Sequence, residues 1–404
     1  MGALAATQVA TGRLHEALQT CQRALEVDKT CGQAYALQIS ILQRLGRFRE
    51  AIDACETLRA LEPANYRPCV EIVRSKRISS EDAELVDDLE RMVSDSTRDT
   101  SDQFHLHRAL GKAYDDLGRF ELAIGHFEAA NKIARESITI ASDPADRERE
   151  LKRLKAAFPQ DVFRRAEATA LEGPTPILIV GMIRSGTTLL DSMLSRLPDV
   201  RSAGEVRFWS AEAARNLNNP QLLKSPQLLS DLQRRYLETL AALAPVSGFV
   251  IDKMPLNYAQ LGFVRRAVPQ SKIVHLRRNP ADTAISIYTS DFGPEPPPFA
   301  FDKARIVHAY RLYQALMEHW RSVLPKNSFI EIDYERLVLE PEPVMREVLE
   351  FIGLPWSDDV LSRANREVDV NTPSRWQARQ PLYNSSIDRW KSYAPWLGEL
   401  SELV

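Results

Sequence analysis

The chain has 404 residues, too many for one ordinary domain and enough for two or three. Its 44% hydrophobic and 26% charged content is that of a soluble globular protein with a sizeable core. A formal net charge of -3 argues against wholesale binding to nucleic acid or to a membrane, so any anion site must be built locally.

The opening residues 1–12 lack the basic-then-apolar pattern of a signal peptide. No stretch approaches the roughly 20 apolar residues of a membrane span, and a cytoplasmic location is the default expectation. The four cysteines, Cys21, Cys31, Cys55 and Cys69, lie in the first 70 residues without paired metal-ligand spacing. Reduced thiols buried on helices are the expected reading.

An internal repeat organises this first part. Gly12 opens GRLHEALQTCQRALEVD, and Gly46 opens GRFREAIDACETLRALEP 34 residues later, with Ala17 and Ala51 in the same phase. A third copy opens at Gly118, GRFELAIGHFEAANK, with Ala123 in that phase. A degenerate copy is expected to fill Tyr66 to Gln103. Glycine suits a tight turn between paired helices, and the small alanine lets the helices approach. The pattern resembles the tetratricopeptide repeat (TPR). The resemblance implies either a groove for a peptide or protein partner or a brace for the next domain. The boundaries read as TPR-like repeats over 1–131, a charged helical connector over 132–173 and a second domain over 174–404.

In that second domain short β-rich runs alternate with helical stretches: PILIVG (176–181), GFVID (248–252), KIVHL (272–276) and FIEID (329–333). Such alternation predicts an α/β fold, a parallel sheet flanked by helices with its ligand at the carboxyl ends of the strands.

The first run opens into GMIRSGTTLLDSML, a strand, a glycine-containing loop and a helix. Loop amides and a helix N-terminus point at an anion, while Gly181 and Gly186 let the backbone wrap closely. Thr187 and Thr188 add hydroxyls. The spacing matches the Walker A frame, but Thr187 stands where the lysine belongs, and a nucleoside triphosphate loses its clamp. No acidic metal ligand declares itself. Arg184 lies inside the loop instead, where it can face a group on a single 5′-phosphate.

Arg184-Ser185-Gly186-Thr187-Thr188 after an apolar strand resembles the 5′-phosphosulfate loop of sulfotransferases that use 3′-phosphoadenosine 5′-phosphosulfate (PAPS). The arginine form is similar to protein-tyrosine sulfotransferases and to bacterial sulfotransferases carrying TPR repeats. Ile183 departs from the proline usual there. In KIVHLRRNPADTAISIY the strand ends at two arginines, and Asn279-Pro280 starts a helix. Arg278, with Ser286 eight residues on, resembles the family's 3′-phosphate site.

The same resemblance implies roles elsewhere. Glu205 in PDVRSAGEVRFW corresponds to the base that takes the acceptor's proton. Lys253 in DKMPLNY corresponds to the cation on the leaving oxygen, with Asp252 and Asn257 as structural supports. The segment TPSRWQARQPLYNSSIDRWKSY (372–393) resembles the late loop that closes over the nucleotide, with Ser374 assisting the leaving group and Arg389 contacting the cofactor. Gln377 and Arg379 are supporting candidates. The expected reaction is metal-free, in-line transfer from PAPS to an acceptor hydroxyl, a protein tyrosine among the candidates, with adenosine 3′,5′-bisphosphate as product. Two alternatives stay open: a P-loop nucleotide kinase-like enzyme, and a TPR scaffold carrying an inactive transferase fold.

Overall fold

A computed structural model describes residues 2–137, 143–163, 173–216, 225–245, 248–293, 296–362 and 384–404. Eight helices form the N-terminal part: α1 (Gly2–Ala10), α2 (Leu14–Val27), α3 (Gly32–Leu45), α4 (Phe48–Leu61), α5 (Arg67–Ser75), α6 (Ala83–Val93), α7 (Thr100–Asp116) and α8 (Phe120–Ser137). They run as four pairs. Gly12, Gly46 and Gly118 take φ of 75°, 77° and 73° at three of the turns. Each lets the next amide reach back to the preceding helix at 2.8 Å: Arg13 to the Gln8 carbonyl, Arg47 to Leu42 and Arg119 to Tyr114. Ala17, Ala51 and Ala123 are fully buried where the paired helices meet. The expected degenerate copy is the pair α5–α6. All four cysteines are free, and Cys21, Cys55 and Cys69 are buried.

The boundary expected at residue 131 falls inside α8, which continues to Ser137 because Ala130, Asn131 and Ala134 stay buried. The connector supplies α9 (Pro144–Ala157) and then Phe158. The Phe158 ring is wholly buried against Phe263 and Trp320. Gly262 makes room for it, since a Cβ there would sit 2.5 Å from the ring. Burying such a side chain is worth about 1.5–3 kcal/mol, enough to fasten the connector to the second domain.

Among the described residues that domain has five parallel strands: β1 (Thr175–Val180), β2 (Val200–Ser202), β3 (Phe249–Asp252), β4 (Lys272–Arg277) and β5 (Phe329–Asp333), in the order β2-β3-β1-β4-β5. Four are the expected runs; β2 is an added edge strand. Its helices are α10 (Thr187–Leu194), α11 (Phe208–Asn216), α12 (Pro226–Leu243), α13 (Leu261–Ala267), α14 (Pro280–Tyr288), α15 (Lys303–Val323), α16 (Tyr334–Leu339) and α17 (Pro341–Ile352). Central β1 alternates between two cores, as a strand covered on both faces must. Ile177 and Ile179 join Leu190 and Leu194 of α10 and Val344 and Val348 of α17. Leu178 and Val180 face Tyr236 of α12, Ile285 of α14 and Trp320 of α15.

Candidate active site

The topology opens a crevice between β1 and β4. The helix after β1, α10, packs on one face of the sheet, and the helix after β4, α14, packs on the other. Neighbouring strands whose connections part in this way leave the switch-point gap where α/β proteins bind ligands.

Residues Gly181 to Gly186 line one wall. A Cβ on Gly181 would lie 2.5 Å from the Leu276 carbonyl and 2.7 Å from Ser185 Oγ, so the loop hugs the end of β4. Gly186 has φ 96° and lies under the Tyr334 ring. Arg184 is left-handed at φ 69°, a conformation that costs a non-glycine residue roughly 1–2 kcal/mol. The Arg278 guanidinium holds it there, donating through Nη1 to the Arg184 carbonyl at 2.9 Å. Helix α10 opens at Thr187 with Gly186 as its cap, so the amides of Thr187 and Thr188 precede the first intrahelical bond, which Leu189 makes to the Gly186 carbonyl at 2.9 Å.

The second wall begins at Arg278. Its guanidinium lies over the Tyr334 ring at 4.9 Å. Asn279 caps α14 by accepting from the Asp282 amide at 3.0 Å, and Glu335 accepts from the Asn279 amide at 2.8 Å. In the last turn of α14, Ser286 Oγ accepts from Arg184 Nε at 3.2 Å. Arg184, Arg278 and Ser286 therefore form one cluster spanning the two walls. Ser185 Oγ and Arg278 Nε are buried there without a hydrogen-bond partner among the described residues. Buried donors with no protein acceptor fit an anionic group.

The third part lies across β3. Ala203 donates to the Ile251 carbonyl at 2.8 Å and Lys253 to the Gly204 carbonyl at 2.9 Å, so β2–β3 pairing extends past the strand ends. Gly204, at φ 71°, then turns the chain, and Glu205 meets Lys253: Nζ donates to Oε1 at 2.7 Å. The Lys253 side chain is 3% exposed and that of Glu205 42%, a buried cation beside an accessible carboxylate. Asp191 of α10 lies within electrostatic reach of both, and burial raises its carboxyl above the usual range against the pull of Lys253.

Asp252 supports this arrangement from beneath. It accepts from Tyr236 Oη at 2.8 Å and from Asn257 Nδ2 at 3.2 Å. Burial pushes its carboxyl up to about 7, with the Tyr236 bond opposing. A carboxyl raised in the fold keeps its proton there while the unfolded chain loses it. The stability this group contributes is thus full below about pH 4 and is lost as pH rises through about 7. Asp252→Asn is expected to flatten that slope, and urea unfolding midpoints at pH 5 and pH 7.5 measure it. An unchanged pH dependence would assign the slope elsewhere.

Ser374, Gln377 and Arg379 lie outside the described residues. The late segment from residue 384 packs on α14: the Asp388 and Trp390 amides each donate to the Asp282 carboxylate at 2.8 Å. The Ser386 carbonyl accepts from Arg278 Nη2 at 2.5 Å. Arg389 does not join the cluster directly; its guanidinium donates to Asp115 of α7 at 2.6 Å. Sequence reasoning missed Asp282, Asp115 and Tyr334. Only Asp282, in the first turn after Asn279-Pro280, had a local signal, and an acidic residue there reads as an ordinary helix start.

Residues 176–358 match the sequence profile of the sulfotransferase family, and residues 109–137 match the tetratricopeptide repeat. An uncharacterized protein of Aquifex aeolicus is 30% identical over 383 residues, 91% of this chain and 49% of its own length. Protein-tyrosine sulfotransferase of Drosophila melanogaster is 25% identical over 250 residues, 54% of this chain and 47% of its own length. The chain thus spans about half the length of these relatives. The solved sulfotransferase domain from the Synechococcus PCC 7002 olefin synthase is 19% identical with a TM-score of 0.42, covering 59% of this chain and 96% of that domain.

Proposed function

We propose that this chain, an array of TPR-like helices joined to a sulfotransferase-family domain, moves a sulfuryl group from PAPS to an acceptor hydroxyl, a tyrosine phenol on a peptide being the acceptor favoured. The observation that carries the reading is the convergence of Arg184, Ser286 and Arg278 across the β1–β4 crevice, with Ser185 Oγ and Arg278 Nε buried and without a hydrogen-bond partner among the described residues. One adenosine nucleotide with phosphates on its 3′ and 5′ positions satisfies those donors from a single crevice. The tyrosine reading draws on the similarity to relatives named protein-tyrosine sulfotransferases.

In this scheme Glu205 accepts the hydroxyl proton as the acceptor oxygen bonds to sulfur. Lys253 and Arg184 meet the negative charge that grows on the bridging oxygen as its bond to sulfur breaks, and Ser374 assists there by family resemblance. Arg278 and Ser286 hold the 3′-phosphate, and the amides from Gly186 to Thr188 hold the 5′-phosphate. The protein's contribution is positioning and fixed charge.

Calorimetry tests the donor half of this reading. Adenosine 3′,5′-bisphosphate is expected to bind about tenfold to a hundredfold more tightly than adenosine 5′-phosphate, the return on charge-assisted bonds to one phosphate. Equal affinity for the two, or tighter magnesium-dependent binding of ATP, would overturn it. Labelled-sulfate transfer to tyrosine peptides, sugars and simple alcohols then tests the acceptor.

A further inference from the structure

One carboxylate of the helical repeats reaches the segment beside the crevice. Asp115 lies in the last turn of α7, just before the Gly118 turn of the third clear repeat. Its Oδ2 accepts from Arg389 at 2.6 Å and its Oδ1 accepts from the Tyr393 hydroxyl. Tyr393 is wholly buried, with its ring against Phe120 of α8 at 5.3 Å. Both partners belong to the late segment, whose backbone is also anchored by the Asp282 carboxylate under the Asp388 and Trp390 amides, by Arg278 under the Ser386 carbonyl and by Lys303, which donates to the Trp396 carbonyl at 2.9 Å. Asp388 is itself left-handed at φ 59°, so the segment turns sharply between these anchors. Arg278 is thereby held on one side by the loop carbonyl of Arg184 and on the other by a segment fastened to the repeats.

The repeats also hold the far end of α14. Arg108 and Asn131 each donate to the Tyr288 carbonyl at 3.1 Å, and Arg108 is almost wholly buried. A cation at the carboxyl end of a helix is favourable, and here it comes from the other domain. Arg74 of α5 pairs with Asp291 just beyond. Contacts of this kind at both ends of the helix that carries Ser286 are more than a flexible tether requires.

We propose that Asp115 is a positioning residue for the 3′-phosphate subsite, acting through Arg389, Tyr393 and the Ser386 carbonyl on Arg278. The repeats then serve as a built-in clamp on donor binding, whatever else their surface contacts. This rests on the donor reading above. It changes the part expected of Arg389, which acts on the nucleotide through the segment that carries it.

The test uses the full chain and two variants. Asp115→Asn keeps the shape and removes the charge; Tyr393→Phe deletes one hydroxyl and reads the same path should the first variant fold poorly. Affinity for adenosine 3′,5′-bisphosphate is compared with that for adenosine 5′-phosphate, which lacks the group Arg278 would hold. Asp115→Asn is expected to weaken the bisphosphate about tenfold and the monophosphate by less than about twofold, with Tyr393→Phe moving the same ratio less. Equal weakening of both nucleotides, or a lower Tm with the ratio unchanged, would reduce Asp115 to a fold-stabilising role and overturn the inference. If the unaltered chain binds the two nucleotides alike, the donor reading itself fails and takes this one with it.

Discussion

Glu205→Gln is expected to lower sulfuryl transfer by about 10²- to 10⁴-fold while leaving affinity for adenosine 3′,5′-bisphosphate within about twofold of the unaltered chain. The substitution is sharp because of what Glu205 touches. Its Oε1 accepts from Lys253 Nζ at 2.7 Å, and a glutamine oxygen still accepts that bond, though without the charge assistance. Lys253 therefore keeps its hydrogen-bond partner, and the variant loses the carboxylate's charge and with it the ability to take a proton. If Glu205 serves merely to hold Lys253, the glutamine variant keeps most of its activity. If Glu205 is the base, activity falls. Labelled-sulfate turnover and calorimetry on the same preparation separate these outcomes. Weaker nucleotide binding with normal turnover would move Glu205 out of the chemistry.

The residues that sequence exposed best are those whose chemistry needs a local backbone shape. The loop from Gly181 to Gly186 was legible because the approach to the Leu276 carbonyl and the φ of 96° at Gly186 both demand glycine. Arg278 and Ser286 were legible because Asn279-Pro280 marks a helix start directly after a strand. Edge strand β2 was not: it is three residues long, and Val-Arg-Ser carries no apolar run, although it delivers Glu205 to Lys253. The repeat pattern stops near residue 131, while α8 runs on to Ser137. Asp282 and Asp115 were illegible for a different reason. Each gains its meaning from a segment more than a hundred residues away, Asp388 and Trp390 for one and Arg389 and Tyr393 for the other. No spacing encodes such a contact.

Lys253→Met, which keeps the apolar stem and removes the charge, is expected to lose about 10²- to 10³-fold in turnover and to unfold at a lower temperature. Lys253 is the buried member of its pair, and its amide is committed to the Gly204 carbonyl, so the backbone fixes where its charge sits. Removing the charge leaves Asp191 and Glu205 near one another without the cation that offsets them. Losing one member of a fully buried pair costs about 3–5 kcal/mol; with Glu205 half in solvent the loss here is smaller. Stability alone therefore cannot identify the role of Lys253, but its coupling to Glu205 can. Two groups serving one transfer step fail together, so the Glu205→Gln/Lys253→Met double variant is expected to be little slower than either single variant. Groups that act independently would instead multiply their defects in the double variant. A multiplicative result would separate proton removal from charge stabilisation into different steps. A Lys253→Met chain with a lower Tm but normal turnover would remove the cation from the reaction altogether.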